Sequence, residues 1–132
     1  MAAIMEPIDT FYRVYNEGVY DQWNEALAQD YTAEVNGHPI PDREVGLGFV
    51  KTFRDAFADL HYSVDEAIVA GDKVTTRWTA TGTHRGEFFG NPPTGKPISM
   101  LGITIFEVTN GKISKLWNVW DLAGLLGQIK EA

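Results

Sequence analysis

The 132 residues include no cysteine, which removes disulfides, thiol nucleophiles and thiolate metal sites together. Basic side chains are scarce, 11 against 18 acidic ones. The resulting charge of −7 and pI near 4.8 repel nucleic-acid backbones and anionic membrane surfaces, so neither is expected as a partner. Long apolar runs are missing too. Residues 97–106 form one of the longest uncharged stretches, about half of the roughly 20 residues that a membrane helix needs. The opening MAAIMEPIDTFYRVY has neither the basic n-region nor the apolar core of a signal peptide, and a cytoplasmic location is expected. No phosphate-binding G-x-x-x-x-G-K-[ST], no G-x-G-x-x-G after a strand and no G-x-S-x-G elbow occurs. Histidines 38, 61 and 84 lack H-x-x-x-H spacing, so no metal site and no cofactor is expected.

What is present reads as one domain spanning residues 1–132, with 44% hydrophobic residues and a mean hydropathy of −0.19, enough to build a core or a lined pocket. The first half has helical periodicity. Ile8, Phe11, Tyr12, Tyr15 and Val19 recur at helical spacing after Pro7, and residues 20–29 suggest a second short helix. Residues 30–36 suggest a strand, and Asp42 is placed to cap a third helix carrying Phe49, Val50, Phe53, Phe57 and Leu60. From residue 61 the period changes to two. Segments 61–70, 73–85, 96–109 and 112–120 are rich in Val, Ile, Thr, Trp and Phe, with Gly71-Asp72 and Asn110-Gly111 as tight turns. A short helix closes the chain from Leu122. Helices followed by a strand meander predict an α+β fold with helices on one face of an antiparallel sheet.

Register decides which side chains share a face, because a slip of one residue reverses them all. A two-residue loop at Gly71-Asp72 sets Glu66 opposite Arg77 as a surface ion pair, with Val64 and Ile68 on the same face. At Asn110-Gly111 a two-residue loop pairs Thr109 with Lys112. A three-residue loop with Gly111 as bulge residue instead pairs Val108 with Lys112, and gathers Leu101, Ile103, Ile105, Ile113, Trp117, Val119 and Asp121 on one face. The second collects the aliphatic residues coherently and is expected to form the inner wall. Met100, Phe106, Leu116 and Trp120 then form an exposed patch large enough to predict a homodimer packed through the sheet.

On that reading Asp121 is a lone carboxylate against an apolar wall, where desolvation suits it to acid–base work. It also precedes Leu-Ala-Gly-Leu-Leu and could equally cap the last helix. His84, in Thr-Gly-Thr-His-Arg-Gly, could orient a carbonyl or relay a proton, and His38 in its loop shares that ambiguity with a structural role. Aromatic residues are abundant. Tyr12, Tyr15, Phe53, Trp78 and Trp117, with Phe88 and Phe89 in the glycine-rich loop, suit a flat apolar ligand if some of them line a cavity with Leu101 and Ile103.

The run Gly-Thr-His-Arg-Gly-Glu-Phe-Phe-Gly-Asn-Pro-Pro-Thr-Gly-Lys at 82–96, with Asn110-Gly-Lys-Ile, Trp117 to Asp121 and Gly-Leu-Leu-Gly-Gln at 124–128, resembles the SnoaL-like polyketide cyclases of the NTF2-like superfamily. The resemblance covers nearly the whole chain. It implies a cone-shaped pocket between a curved sheet and three N-terminal helices. It also implies that Asp121 matches the aspartate that ends the last strand and drives an intramolecular aldol closure, and that His84 matches the histidine before the rim loop. Relatives often carry Glu-His before the last-strand tryptophan, where this chain has Lys115-Leu116.

The expected function is therefore cofactor-independent ring closure of a small apolar or polycyclic carbonyl compound. Asp121 would remove a proton α to a carbonyl, while His84 and His38 position oxygens. A non-catalytic ligand-binding module, or isomerisation, dehydration or epoxide opening in the same pocket, fits the same residues.

Overall fold

The computed structural model describes residues 3–130. After a 3-10 turn at Ala3–Met5 come α1 (Glu6–Glu17), a second 3-10 turn (Tyr20–Gln22), α2 (Trp23–Ala26), β1 (Leu27–Val35), β2 (His38–Ile40) and α3 (Arg43–Ala56). The meander β3 (His61–Ala70), β4 (Lys73–Thr83), β5 (Pro97–Thr109) and β6 (Lys112–Trp120) follows, and α4 (Leu122–Lys130) ends the fold. The sheet runs β2-β1-β6-β5-β4-β3. No helix among the described residues is long and apolar enough to cross a membrane.

The helices end where their sequences dictate. Gly18 closes α1 in the left-handed region at φ 71°, a conformation glycine adopts without strain. Asp42 caps α3, its carboxylate accepting the Val45 N–H at 3.0 Å. The helix expected over 20–29 is cut short, because Leu27 already begins β1 and buries fully in the core. The strand β2, missed within the Gly-His-Pro-Ile-Pro loop, is a short return that pairs Ala33 with Ile40. The sheet is antiparallel except where β1 meets β6 in parallel, a pairing between segments about eighty residues apart that no local pattern encodes.

Both hairpins use two-residue turns and then correct their register with a bulge. In the first, Glu66 faces Arg77 as expected. A bulge at Asp65 then pairs Val64 with Trp78, so Val64 leaves the Glu66 face. In the second, Asn110 and Gly111 both have positive φ (53° and 77°), the pattern of a type I′ turn. Thr109 therefore pairs with Lys112, not Val108 with Lys112, and the bulge lies at Ser114, beyond which Glu107 pairs with Lys115. Leu101, Ile103, Ile105, Trp117, Val119 and Asp121 do share a face, but Ile113 precedes the bulge and turns to the other one.

The layer order is the reverse of the expected one. Met100, Phe106, Leu116 and Trp120 are buried, whereas Leu101 and Val119 remain 65% and 66% exposed on the outer face. The helices choose the face that offers the large rings. Phe11 of α1 meets Phe106 edge-on at 5.1 Å and Phe53 of α3 meets Trp120 at 5.4 Å, pairs that add about 0.5–1.5 kcal/mol each to the roughly 1.5–3 kcal/mol of burying a large apolar side chain. The patch expected around Met100 is the core.

Candidate functional site

Between the helices and the concave face of the sheet lies a cavity of about 40 Å³, walled by Phe11, Tyr15, Trp23, Tyr31, Phe49, Phe53, Tyr62, Trp78, Leu116, Asn118 and Trp120 among others. Leu116, Asn118 and Trp120 reach it because they alternate inward along β6. Among the lining residues Asn118 alone brings an amide, and no carboxylate or histidine lines the cavity.

The polar groups beside it form one chain. Trp78 Nε1 donates to Thr104 Oγ1 at 3.0 Å, and Asn118 Nδ2 donates to the same oxygen at 3.1 Å. With two N–H groups directed at it, the Thr104 hydroxyl proton is free to point at the Tyr12 phenol, which also lies 2.7 Å from Thr76 Oγ1. Burial pushes the Tyr12 phenol up to about 12, the bonds to Thr76 and Thr104 opposing the shift. Burial likewise raises Tyr15, Tyr31 and Tyr62, so all four phenols stay neutral donors. The Asn118 carbonyl oxygen is buried and accepts nothing, a state that costs about 1–3 kcal/mol for a neutral acceptor.

The residues singled out from sequence fall in three places. Tyr15, Phe53 and Trp78 line the cavity, and Tyr12 is buried beside it. Phe88 is fully buried under the rim loop, 5.4 Å from Phe53 and 5.2 Å from Phe57, while Phe89 stacks on it from solvent. The remainder lie elsewhere. Leu101 and Ile103 face outward, Trp117 is half-buried on that outer face under the Lys115 ammonium, and His38 is exposed on β2.

Asp121 is exposed and caps α4, its Oδ1 accepting the Gly124 N–H at 2.8 Å. It borders an open groove of about 460 Å³ on the outer face with Asp65, Arg77, Leu101, Ile103 and Val119, not the hollow expected for a desolvated acid. The cause is the reversed layer order, which turns its strand face to solvent. His84 is buried but does not line the cavity. Its Nδ1 lies 3.3 Å from the Thr94 backbone nitrogen, and its backbone brackets Lys96 and Gly95, so the residue ties down the 84–96 loop. Nδ1 also lies 3.0 Å from the Thr94 hydroxyl, and the buried Nε2 has no partner.

Thr104, Asn118, Tyr31 and Tyr62 were not foreseen. A sequence signal existed for the first two. Each is a polar residue flanked two positions away on both sides by residues of the buried face, Gly102 and Phe106 around Thr104, Leu116 and Trp120 around Asn118, which is where a pocket places its few polar groups.

Comparison with known proteins agrees with this architecture. The family profile of the SnoaL-like polyketide cyclases matches residues 7–129. The chain belongs to that family. Among solved structures it is similar to IdmH of Streptomyces antibioticus, described as a candidate polyketide cyclase, at 33% identity and a TM-score of 0.82 over 96% of this chain and 99% of that one. A candidate polyketide cyclase of Acidithiobacillus ferrooxidans is 29% identical, with a TM-score of 0.86 over 98% and 95% of the two chains. TsrD of Streptomyces laurentii is 26% identical with a TM-score of 0.87 over 97% and 95%. No curated protein matches the chain. Leu116 lines the cavity, so the residue before Trp117 brings an aliphatic side chain and no acid–base group to the wall.

Proposed function

We propose that this SnoaL-like chain is a cofactor-independent cyclase whose substrate, a small apolar carbonyl compound able to enolise, binds in the inner cavity with an enol or phenol hydroxyl donated to Asn118. The observation that carries this reading is the unpartnered Asn118 carbonyl oxygen on a mostly aromatic wall. An amide carbonyl is too weak a base to remove a proton from carbon. It can stabilise the enol tautomer by accepting its O–H, and the aromatic walls can hold that enol carbon against a second carbonyl in the same molecule. Ring closure, already intramolecular, then gains from holding the two carbons in the reactive orientation and from exclusion of water. The carbon–carbon bond forms as the enol O–H proton passes to the attacked carbonyl oxygen, directly or through water, leaving a β-hydroxy ketone.

The cavity must widen for this. Ligand pockets usually measure about 300–1,000 Å³, well above the 40 Å³ seen. The half-buried Tyr15 and Phe49 are wall residues that can swing outward.

A second reading has its own support. Asp121 as the acid–base group would work in the outer groove, whose volume of about 460 Å³ suits a ligand. Two variants separate the readings. Asn118→Leu should abolish ring closure and Asp121→Asn should leave it intact. The reverse pattern would assign the chemistry to Asp121. Ligand retained by the wild type with no product formed would make the chain a binding module.

A further inference from the structure

The inner cavity is surrounded by more hydrogen-bond donors than its own network uses. The Trp23 indole N–H goes to the Arg43 carbonyl at 2.8 Å. The Trp78 indole and the Asn118 amide donate to Thr104, and the Tyr12 phenol is bonded to Thr76. The phenols of Tyr15, Tyr31 and Tyr62, all wall residues, are left over. Tyr15 and Tyr62 bond to Arg54 and Asn16 through backbone atoms alone. None of the three hydroxyls has a hydrogen-bond partner in the protein among the described residues, although burial desolvates each of them. They come from three separate elements, α1, β1 and β3, and meet only at the cavity. The Tyr15 and Tyr62 rings lie 4.8 Å apart, and Tyr62 lies 4.9 Å from the Trp78 ring, whose N–H shares the Thr104 oxygen with Asn118. A buried O–H calls for an acceptor, and the cavity is where one can enter. The same wall carries no lysine or arginine.

We propose that Tyr15, Tyr31 and Tyr62 are catalytic donors that hold the oxygen of the carbonyl under attack, with the close pair Tyr15 and Tyr62 taking the charge that develops on it. This rests on the reading of the inner cavity as the site of ring closure and assigns its second half: Asn118 accepts from the enol, and the phenols donate to the electrophile. As the enol carbon bonds to the carbonyl carbon, the carbonyl π pair moves onto its oxygen. The phenols keep their protons and stabilise that oxygen through hydrogen bonds until the enol proton reaches it, which leaves the β-hydroxy ketone and unchanged tyrosines. Neutral donors suit this task. A cation would also favour an anionic ground state, whereas preorganised O–H groups in a water-poor cavity gain most where charge appears in the transition state. Removing one such donor is expected to slow ring closure on the order of 10²-fold.

Acetophenone tests the assignment, because its ketone oxygen accepts hydrogen bonds and it has no O–H for Asn118. The infrared carbonyl band of isotope-labelled acetophenone bound to the full chain should lie below its position in cyclohexane. Each of Tyr15→Phe, Tyr31→Phe and Tyr62→Phe should move the band part of the way back and weaken binding about 2–10-fold, the worth of one hydrogen bond. Asn118→Leu should leave the band lowered. Since these hydroxyls bond to nothing in the protein, the three phenylalanine variants should melt no lower than the wild type at neutral pH. A band at the cyclohexane position, or a lowered band that survives in all three variants, overturns the proposal and leaves the Asn118 reading standing. Variants that melt well below the wild type also overturn it, by showing the hydroxyls engaged within the fold. If acetophenone binds neither the wild type nor Phe49→Ala, which removes a ring from the wall, both readings fall together.

Discussion

The Trp78 indole occupies the space that a side chain on Gly102 would need: a Cβ built there falls 2.6 Å from the ring atoms Cε2 and Cη2. The two residues face each other across β4 and β5, with Trp120 next in line on β6. The missing side chain lets the indole lie flat along the sheet and aim its N–H at Thr104. Gly102→Ala should therefore push the ring into the cavity. The expected loss is about 1–3 kcal/mol, typical of overpacking, read by urea unfolding together with a change in near-ultraviolet circular dichroism.

Thr104 accepts from two buried donors. Replacing it with valine keeps the shape and strands the Trp78 and Asn118 N–H groups, at about 1–3 kcal/mol each where no water replaces the hydroxyl. A loss of roughly 2–6 kcal/mol is expected in thermal or denaturant unfolding. A change under 1 kcal/mol, about the net worth of one ordinary hydrogen bond, would show that these donors find other partners.

Asp121 behaves as a helix cap in this fold. Asp121→Ala should lower stability by about 1 kcal/mol, the usual worth of an N-cap, because the Gly124 N–H loses its acceptor. Turnover per folded molecule should be unchanged, which a paired activity and melting measurement checks.

The cavity wall can be opened by mutation. Phe49 is half-buried and stacks on Phe53 at 6.4 Å. Phe49→Ala should cost less than the roughly 3–5 kcal/mol of a fully buried phenylalanine, and it should raise the affinity for planar aromatic phenols. Titration followed by tryptophan fluorescence suits this, since Trp23, Trp78 and Trp120 all face the cavity.

Alkaline pH should unfold the protein through its tyrosines. Burial holds Tyr12 neutral up to about 12 in the folded state, whereas the unfolded chain ionises near 10. The raised value contributes stability that is complete below pH 10 and is lost as pH climbs from 10 towards 12, because only the unfolded state releases its proton in that window. For Tyr12 alone the loss is on the order of 2–3 kcal/mol, and Tyr15, Tyr31 and Tyr62 act in the same direction. Melting temperatures measured across this window should fall steeply, and less steeply in Tyr12→Phe.

Much of the architecture was legible from periodicity and turn chemistry. Asn110-Gly111 and Gly71-Asp72 fix two tight hairpins because positive φ is cheap for Gly71, Asn110 and Gly111, and Asp42 fixes the start of α3 because its carboxylate can reach the Val45 N–H. The outward grouping of Leu101, Ile103, Ile105, Trp117, Val119 and Asp121 also follows from a period of two, even though the expected three-residue loop was replaced by a tight turn and a bulge at Ser114. The bulge shifts the strand by a whole period relative to the expected register, which preserves the grouping for every residue beyond it and loses only Ile113.

What the chain could not show locally is which side of the sheet the helices cover. Both faces of β5 and β6 are apolar, so alternation defines two faces without ranking them. The choice falls to long-range packing, where Phe11 and Phe53 find Phe106 and Trp120. That single decision places Asn118 and Thr104 inside and leaves Asp121 in water. Sequence thus determined which residues travel together, because backbone geometry is local. Only the tertiary structure decided which set meets the cavity, because burial is settled by contacts between segments far apart in the chain.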